Sequence, residues 1–200
     1  ATIDSDLNGD GDTTDDGELQ VASAVASWMA PELPNTGFAP GMMTWLPEQP
    51  EDLAYSDLGD VWMEIPALGI KLPIVGVPLT VDGWDVSWLR DQAGWLGGTA
   101  FPGWAGNSVV TAHVYDANGL PGPFVHLNTL WWGDRIIVHV YGSTYTYEVR
   151  QVLTFKPDNL NPIKHEDKAW LTLLTCRSYD EKTDTYLWRV AVRAVLVKTE

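Results

Sequence analysis

From Val61 onward, short apolar and β-branched runs recur, each closed by a turn signal: VWMEI (61–65), IKLPIV (70–75), NSVVTAHVY (107–115), DRIIVHVY (134–141), TYTYEVRQVLTF (144–155), AWLTLLTC (169–176) and YLWRVAVRAVLV (186–197). Several alternate with a period of two, as strands with one buried face do. VYGSTY (140–145) predicts a tight hairpin between two of them. Seven or eight strands, with brief helical pieces only near WDVSWLRDQ (84–92) and PFVHLNTLW (123–131), predict a mainly β fold closed or nearly closed into a barrel.

The first 60 residues have a different pattern. GELQVASAVASWMA (17–30) reads as a short helix with Leu19, Val21, Val25 and Trp28 as apolar contacts. Residues 31–57 contain Pro31, Pro34, Pro40, Pro47 and Pro50 with no period, which predicts a linker or an extended N-terminal arm. DSDLNGDGDTTDDGE (4–18) sets oxygen ligands at alternate positions around Gly9, the spacing of an EF-hand loop with Asp15 in place of the bidentate Glu. The expected Ca2+ ligands are Asp4, Asp6, Asn8, Asp10 and Asp15. A second register begins at Asp6 and uses Asn8, Asp10 and Asp12, and the alternative to both is a solvated acidic tail.

Composition sharpens this division. Residues 1–60 carry 13 acids and no Lys or Arg, whereas residues 61–200 carry 14 acids and 12 bases, which together give the net charge of -15. A chain this acidic, with no basic stripe, lacks the phosphate-neutralising surface a nucleic-acid binder needs, so no nucleic-acid partner is expected. With 45% hydrophobic residues and 11 Trp, the chain can bury a real core. It has no apolar run of about 18 residues and no basic leader, so any leader or anchor is expected to lie outside this sequence. The one cysteine, Cys176, excludes an internal disulfide, and taken alone it reads as a small buried hydrophobe.

A cysteine nucleophile needs a base and a group that holds charge on the attacked carbonyl oxygen. The sequence offers each at a strand end. A period of two sets Val109, Thr111 and His113 on one face, with His113 close to where that strand runs out. Cys176 closes AWLTLLTC just before the polar loop RSYDEKTDTY, and Arg189 lies near the start of the strand after that loop. Hairpin pairing of these two strands would bring thiol and guanidinium together. Arg193 shares Arg189's face but sits roughly 13 Å further along, and is expected in a surface ion pair. His139 is expected to be structural and His165 solvated.

TLLTC (172–176) resembles the TLxTC signature of sortases, WRVAVRA (188–194) resembles the strand that carries their essential arginine, and GTAFPGWAGNSVVTAH (98–113) is similar to the block that ends in their catalytic histidine. Three blocks in the right order, covering roughly residues 58–198, imply an eight-stranded sortase-type β-barrel and a cysteine transpeptidase needing no cofactor for catalysis. By this resemblance Cys176 is the nucleophile, His113 the general acid and base, and Arg189 the group stabilising the oxyanion or binding substrate backbone. Thr175 is a candidate hydroxyl donor to the oxyanion, with an ordinary strand residue as the alternative. One or two of the tryptophans around these blocks are candidates for the wall of a Leu-Pro pocket.

The resemblance changes the weight of LPNTG, residues Leu33, Pro34, Asn35, Thr36 and Gly37. LPxTG is the motif that sortases cut between Thr and Gly, and the acidic, Pro-rich sequence after it here is not that of a sorting signal. The motif is therefore expected to act as a pseudosubstrate in cis or in trans, with an inert turn and a self-cleavage site as alternatives. The implied organisation is a calcium-loop segment over 1–30, a Pro-rich arm over 31–57 and a catalytic barrel over 58–200. The implied partners are an LPxTG-like peptide or protein, an amine acceptor and the chain's own arm, and the implied location is extracytoplasmic, on a bacterial surface or secreted. A cysteine peptidase that hydrolyses the same motif, and an inactive calcium-binding interaction module, are the competing readings.

Overall fold

A computed structural model describes residues 32–200. The expected calcium loop with Asp4, Asp6, Asn8, Asp10 and Asp15, the expected helix over 17–30, and Pro31 lie outside the described residues.

Eight strands follow in chain order: β1 (Ser56–Ile65), β2 (Ile70–Val77), β3 (Ala93–Leu96), β4 (Gly106–Thr111), β5 (Arg135–Val140), β6 (Ser143–Phe155), β7 (Ala169–Asp180) and β8 (Thr185–Thr199). They close into a barrel in the order β1-β2-β3-β4-β7-β8-β6-β5. The β2–β3 and β4–β7 pairs are parallel and the others antiparallel. VYGSTY forms the expected hairpin: Val140 pairs with Ser143 around Tyr141 and Gly142, whose φ angles of 49° and 85° match the right-handed twist of the strands they join.

The alternation read in the sequence fills the barrel. Val61, Met63 and Ile65 of β1, Ile136 and Val138 of β5, and Val190, Val192 and Ala194 of β8 all point into one core. All six residues of β4 are buried, because that strand is covered on both faces. Val110 enters the barrel core, while Val109 turns outward and joins Leu174, Trp84, Leu89 and Leu33 in a second apolar layer outside the barrel.

Four local expectations differ. β1 begins at Ser56 rather than Val61, with a register break between Asp57 and Trp62 around Gly59 at φ 63°. β4 ends at Thr111, so His113 stands beyond the strand. WDVSWLRDQ is not helical: it makes successive turns (Leu89 N–H to Val86 O, 3.2 Å; Gln92 N–H to Leu89 O, 2.8 Å), and the Trp84 indole is tied to Gly97 O at 2.9 Å. PFVHLNTLW contains only one 3-10 turn, Leu127–Thr129.

Ahead of β1 the described part of the arm has neither helix nor strand before the 3-10 turn Glu51–Leu53, and it turns once at Pro40–Gly41, where Met42 N–H donates to Ala39 O at 3.3 Å. It runs along the segment after β4 through four backbone bonds: Val114 N–H to Thr36 O (2.8 Å), Phe38 N–H to Tyr115 O (3.1 Å), Gly41 N–H to Gly119 O (2.9 Å) and Thr44 N–H to Ala117 O (2.7 Å). No helix among the described residues is long and apolar enough to cross a membrane.

Candidate active site

β7 and β8 pair so that Cys176 stands directly opposite Arg189. Cys176 is the last buried residue of its strand, 1% exposed, before Arg177 turns out to solvent. Arg189 is 5% exposed, and its Nη1 donates to the carbonyls of Tyr186 (3.3 Å) and Trp188 (3.4 Å) while its Nε has no partner among the described residues. Burial pushes the Cys176 thiol above its ordinary value, opposed by the Arg189 charge and by hydrogen bonds from Thr36.

His113 reaches the same region through the parallel β4–β7 pair. Thr111, the last residue of β4, lies opposite Leu174, so the chain leaves the ladder two residues before His113 on one side and reaches Cys176 two residues later within β7 on the other. The ring is 1% exposed, and among the described residues neither nitrogen has a hydrogen-bond partner. Burial holds its pKa below the ordinary imidazole value. The carbonyls of Thr36, Ser87 and Val86 and the Asp116 carboxylate face the ring and oppose that shift, but without hydrogen-bond geometry they are the weaker influence. Both shifts favour the neutral forms of the two groups. Gly122 supports the segment from below: a Cβ there would come within 2.3 Å of the His113 carbonyl oxygen, so only glycine lets the chain pass.

Residues 33–37 occupy the space between these groups. Leu33 is 4% exposed in the outer apolar layer with Trp84, Leu89 and Leu174, and Pro34 is buried beside it. Thr36 bridges the site: its N–H meets Cys176 Sγ at 3.2 Å, and its carbonyl accepts the Val114 N–H. The Cys176 thiol donates to Asn35 Oδ1 at 3.3 Å. At Gly37 a Cβ would fall 2.5 Å from Val114 Cγ1 and 3.0 Å from the Tyr186 ring, so a side chain does not fit. Beyond it the Phe38 ring leans on His113 with centroids 5.2 Å apart, and the Tyr186 hydroxyl donates to the Phe38 carbonyl at 2.8 Å.

Two sequence expectations need correction here. The Thr175 hydroxyl donates to the Ala112 carbonyl at 3.0 Å and accepts from the Thr36 hydroxyl at 3.4 Å, so its proton is committed to the fold and is not free for an oxyanion. Arg193 does form an ion pair, with Glu166, but not at the surface. It is 8% exposed, packs over Trp170 and also donates to Gln151 at 3.2 Å. His139 is bound to Glu64 and stacked on Trp62, and His165 is exposed. Sequence reasoning missed the Val114 amide, the Tyr186 hydroxyl and Gly122. Of these only Gly122, one of two glycines close after the histidine, left any trace in the residue pattern.

Asn107, at the start of β4, accepts from the Thr172 hydroxyl at 2.8 Å and donates to the carbonyls of Pro162 and Lys164, both at 3.1 Å. It thereby clips the loop before β7 to β4, which leads into the histidine, and to β7, which carries the cysteine. Among the described residues no group of acidic, His or Cys side chains is arranged to hold a metal ion.

This geometry has known counterparts. The chain resembles a sortase C from Clostridium perfringens SM101 (31% identity over 72% of this chain and 73% of that one, TM-score 0.54) and a sortase C-1 from Streptococcus pneumoniae (29%, 68% and 66%, TM-score 0.55). It also resembles a sortase A lid mutant from Corynebacterium diphtheriae (28%, 74% of each chain, TM-score 0.59). No curated protein matches the chain in sequence. The sortase-domain family model matches residues 63–197, which is most of the barrel and includes the histidine, cysteine and arginine described above. The chain belongs to the sortase family of cysteine transpeptidases.

Proposed function

We propose that this protein cleaves an LPxTG-like sorting motif between Thr and Gly, transfers the acyl group to an amine at a bacterial cell surface, and holds its own residues 33–37 in cis as a pseudosubstrate. The observation that carries the reading is Thr36, the residue before the would-be scissile bond, with its N–H on Cys176 Sγ and its carbonyl on Val114. In this reading Cys176 attacks the Thr carbonyl as its proton passes to His113. The Thr–Gly bond then breaks, and the leaving amine takes the proton from His113. The thioester left behind is attacked by the acceptor amine, whose proton returns through His113 to the departing sulfur. Arg189 stabilises negative charge on the sulfur and holds backbone upstream of the cleaved bond.

Two features support a held rather than a cut arm. The thiol proton is directed at Asn35 Oδ1 rather than at His113, and burial keeps the thiol neutral. The arm is anchored by Leu33, whose full burial is worth about 2–3 kcal/mol. Leu33→Asp in the full chain removes that anchor and should shift arm docking by about 100-fold, read as faster turnover of an added LPNTG peptide with triglycine as acceptor. Unchanged kinetics would sink the pseudosubstrate reading, and a purely hydrolysed product would favour a peptidase. Cys176→Ala should abolish both products. The division into a calcium-binding segment (1–30), arm (31–57) and catalytic barrel (58–200) is part of the same proposal, tested for its first part by calcium titration of the full chain against an Asp4→Ala, Asp6→Ala variant.

A further inference from the structure

We infer that the backbone amide of Val114, the residue after the histidine, is the oxyanion donor of this enzyme, and that Arg189 acts on the sulfur and on upstream backbone instead. The inference rests on the proposed function, because it takes Thr36 as standing where a substrate threonine stands. Among the described residues Val114 N–H, at 2.8 Å, is the only donor to the Thr36 carbonyl oxygen. Neither of the two side chains expected to serve there donates to that oxygen. The Thr175 hydroxyl donates to Ala112 O, and Arg189 Nη1 donates to carbonyls of its own strand. Arg189 also lines a cleft of about 640 Å³ together with Glu32 and Asn35, on the upstream side of the motif.

The chemistry fits a fixed backbone donor. When sulfur adds to the Thr carbonyl carbon, the C=O electron pair moves onto oxygen. An N–H already aligned on that oxygen strengthens as the charge develops and needs no reorganisation. Its position is set by rigid neighbours: Gly122 N–H donates to Val114 O at 2.9 Å, Phe124 N–H donates to His113 O at 3.1 Å, and Gly122 packs under His113. Placing the donor next to the histidine also fixes base and oxyanion relative to one another through a single peptide unit.

The test is to replace the 113–114 amide of the full chain by an ester, incorporating the α-hydroxy analogue of valine, so that the N–H is lost and the side chain kept. Thioester formation from an LPNTG peptide is followed by intact mass, with iodoacetamide alkylation of Cys176 as the measure of an intact site. Acylation is expected to fall by about 10²–10³ with alkylation retained. The same change also loosens the arm, which by itself would speed acylation, so a fall cannot come from the arm. Measured in the Leu33→Asp background, where the arm is already released, acylation left unchanged by the ester overturns the assignment. Failure of the unmodified chain to acylate at all removes the proposed function and this assignment with it, which separates the two failures. Should the ester chain lose its alkylation, the unmodified chain decides: on capture of Leu-Pro-Asn-threoninal by Cys176 the Val114 amide proton is expected to move downfield. An amide proton that stays or moves upfield overturns the assignment.

Discussion

Burial pushes the Cys176 thiol above its ordinary range and the His113 imidazole below its own, while Arg189 opposes the first shift and Asp116 the second. Both groups then favour their neutral forms, and each contributes to stability in a definite direction. An imidazole depressed in the folded state costs stability as pH falls below about 6.5, where the unfolded chain binds the proton and the folded one does not. A thiol raised in the folded state costs stability as pH rises above about 8.5, where the unfolded chain loses its proton first. Thiolate absorbance of the full chain should therefore be absent at neutral pH and appear only above the range of a free cysteine. Asn35→Ala removes the acceptor of the thiol proton. It should raise the rate of Cys176 alkylation, and intact mass should show whether the arm is then severed after Thr36.

At the level of the elements, the β7–β8 hairpin aligns cysteine with arginine, the parallel β4–β7 pair ends two residues before the histidine, and Asn107 ties β4 and β7 to the loop before β7. Removing the Asn107 amide strands buried partners on Pro162, Lys164 and Thr172. Asn107→Ala should cost about 2–4 kcal/mol by urea denaturation and lower thioester formation with it. The parts legible in the sequence were those with a side-chain signature. Alternation gave most strands, and the cysteine, histidine and arginine stood out because their chemistry needs those residue types. β3 was illegible because Ala93-Gly94-Trp95-Leu96 has no period and is buried on both faces. The segment 84–92 has helix-like apolar spacing, yet Trp84, Val86 and Leu89 serve the layer outside β4 and its backbone turns instead. The Val114 amide was invisible, since a backbone donor leaves no mark on residue identity.

For the molecule as a whole, the arm lies on the same chain as the cleft it fills, with 19 residues (37–55) between Thr36 and β1. Tethering over that length gives an effective concentration in the millimolar range, so added peptide should compete only at comparable levels. The proposed occupation in cis would make turnover per molecule independent of protein concentration. Specific activity measured over a dilution series should stay flat, whereas activity rising on dilution would indicate exchange between chains.

The contacts of Asn35 and Thr36 with Cys176 join residues 141 and 140 positions apart. A chain made from its N-terminus has its arm long before it has a place to put it, because Cys176 and Tyr186 belong to the last two strands. The arm can seat only when β7 and β8 have paired, the step that also assembles cysteine against arginine. The thiol can thus be covered by the arm only once the barrel is complete. On the proposed reading, a molecule with its arm seated carries its own shield for the thiol against oxidants and stray electrophiles.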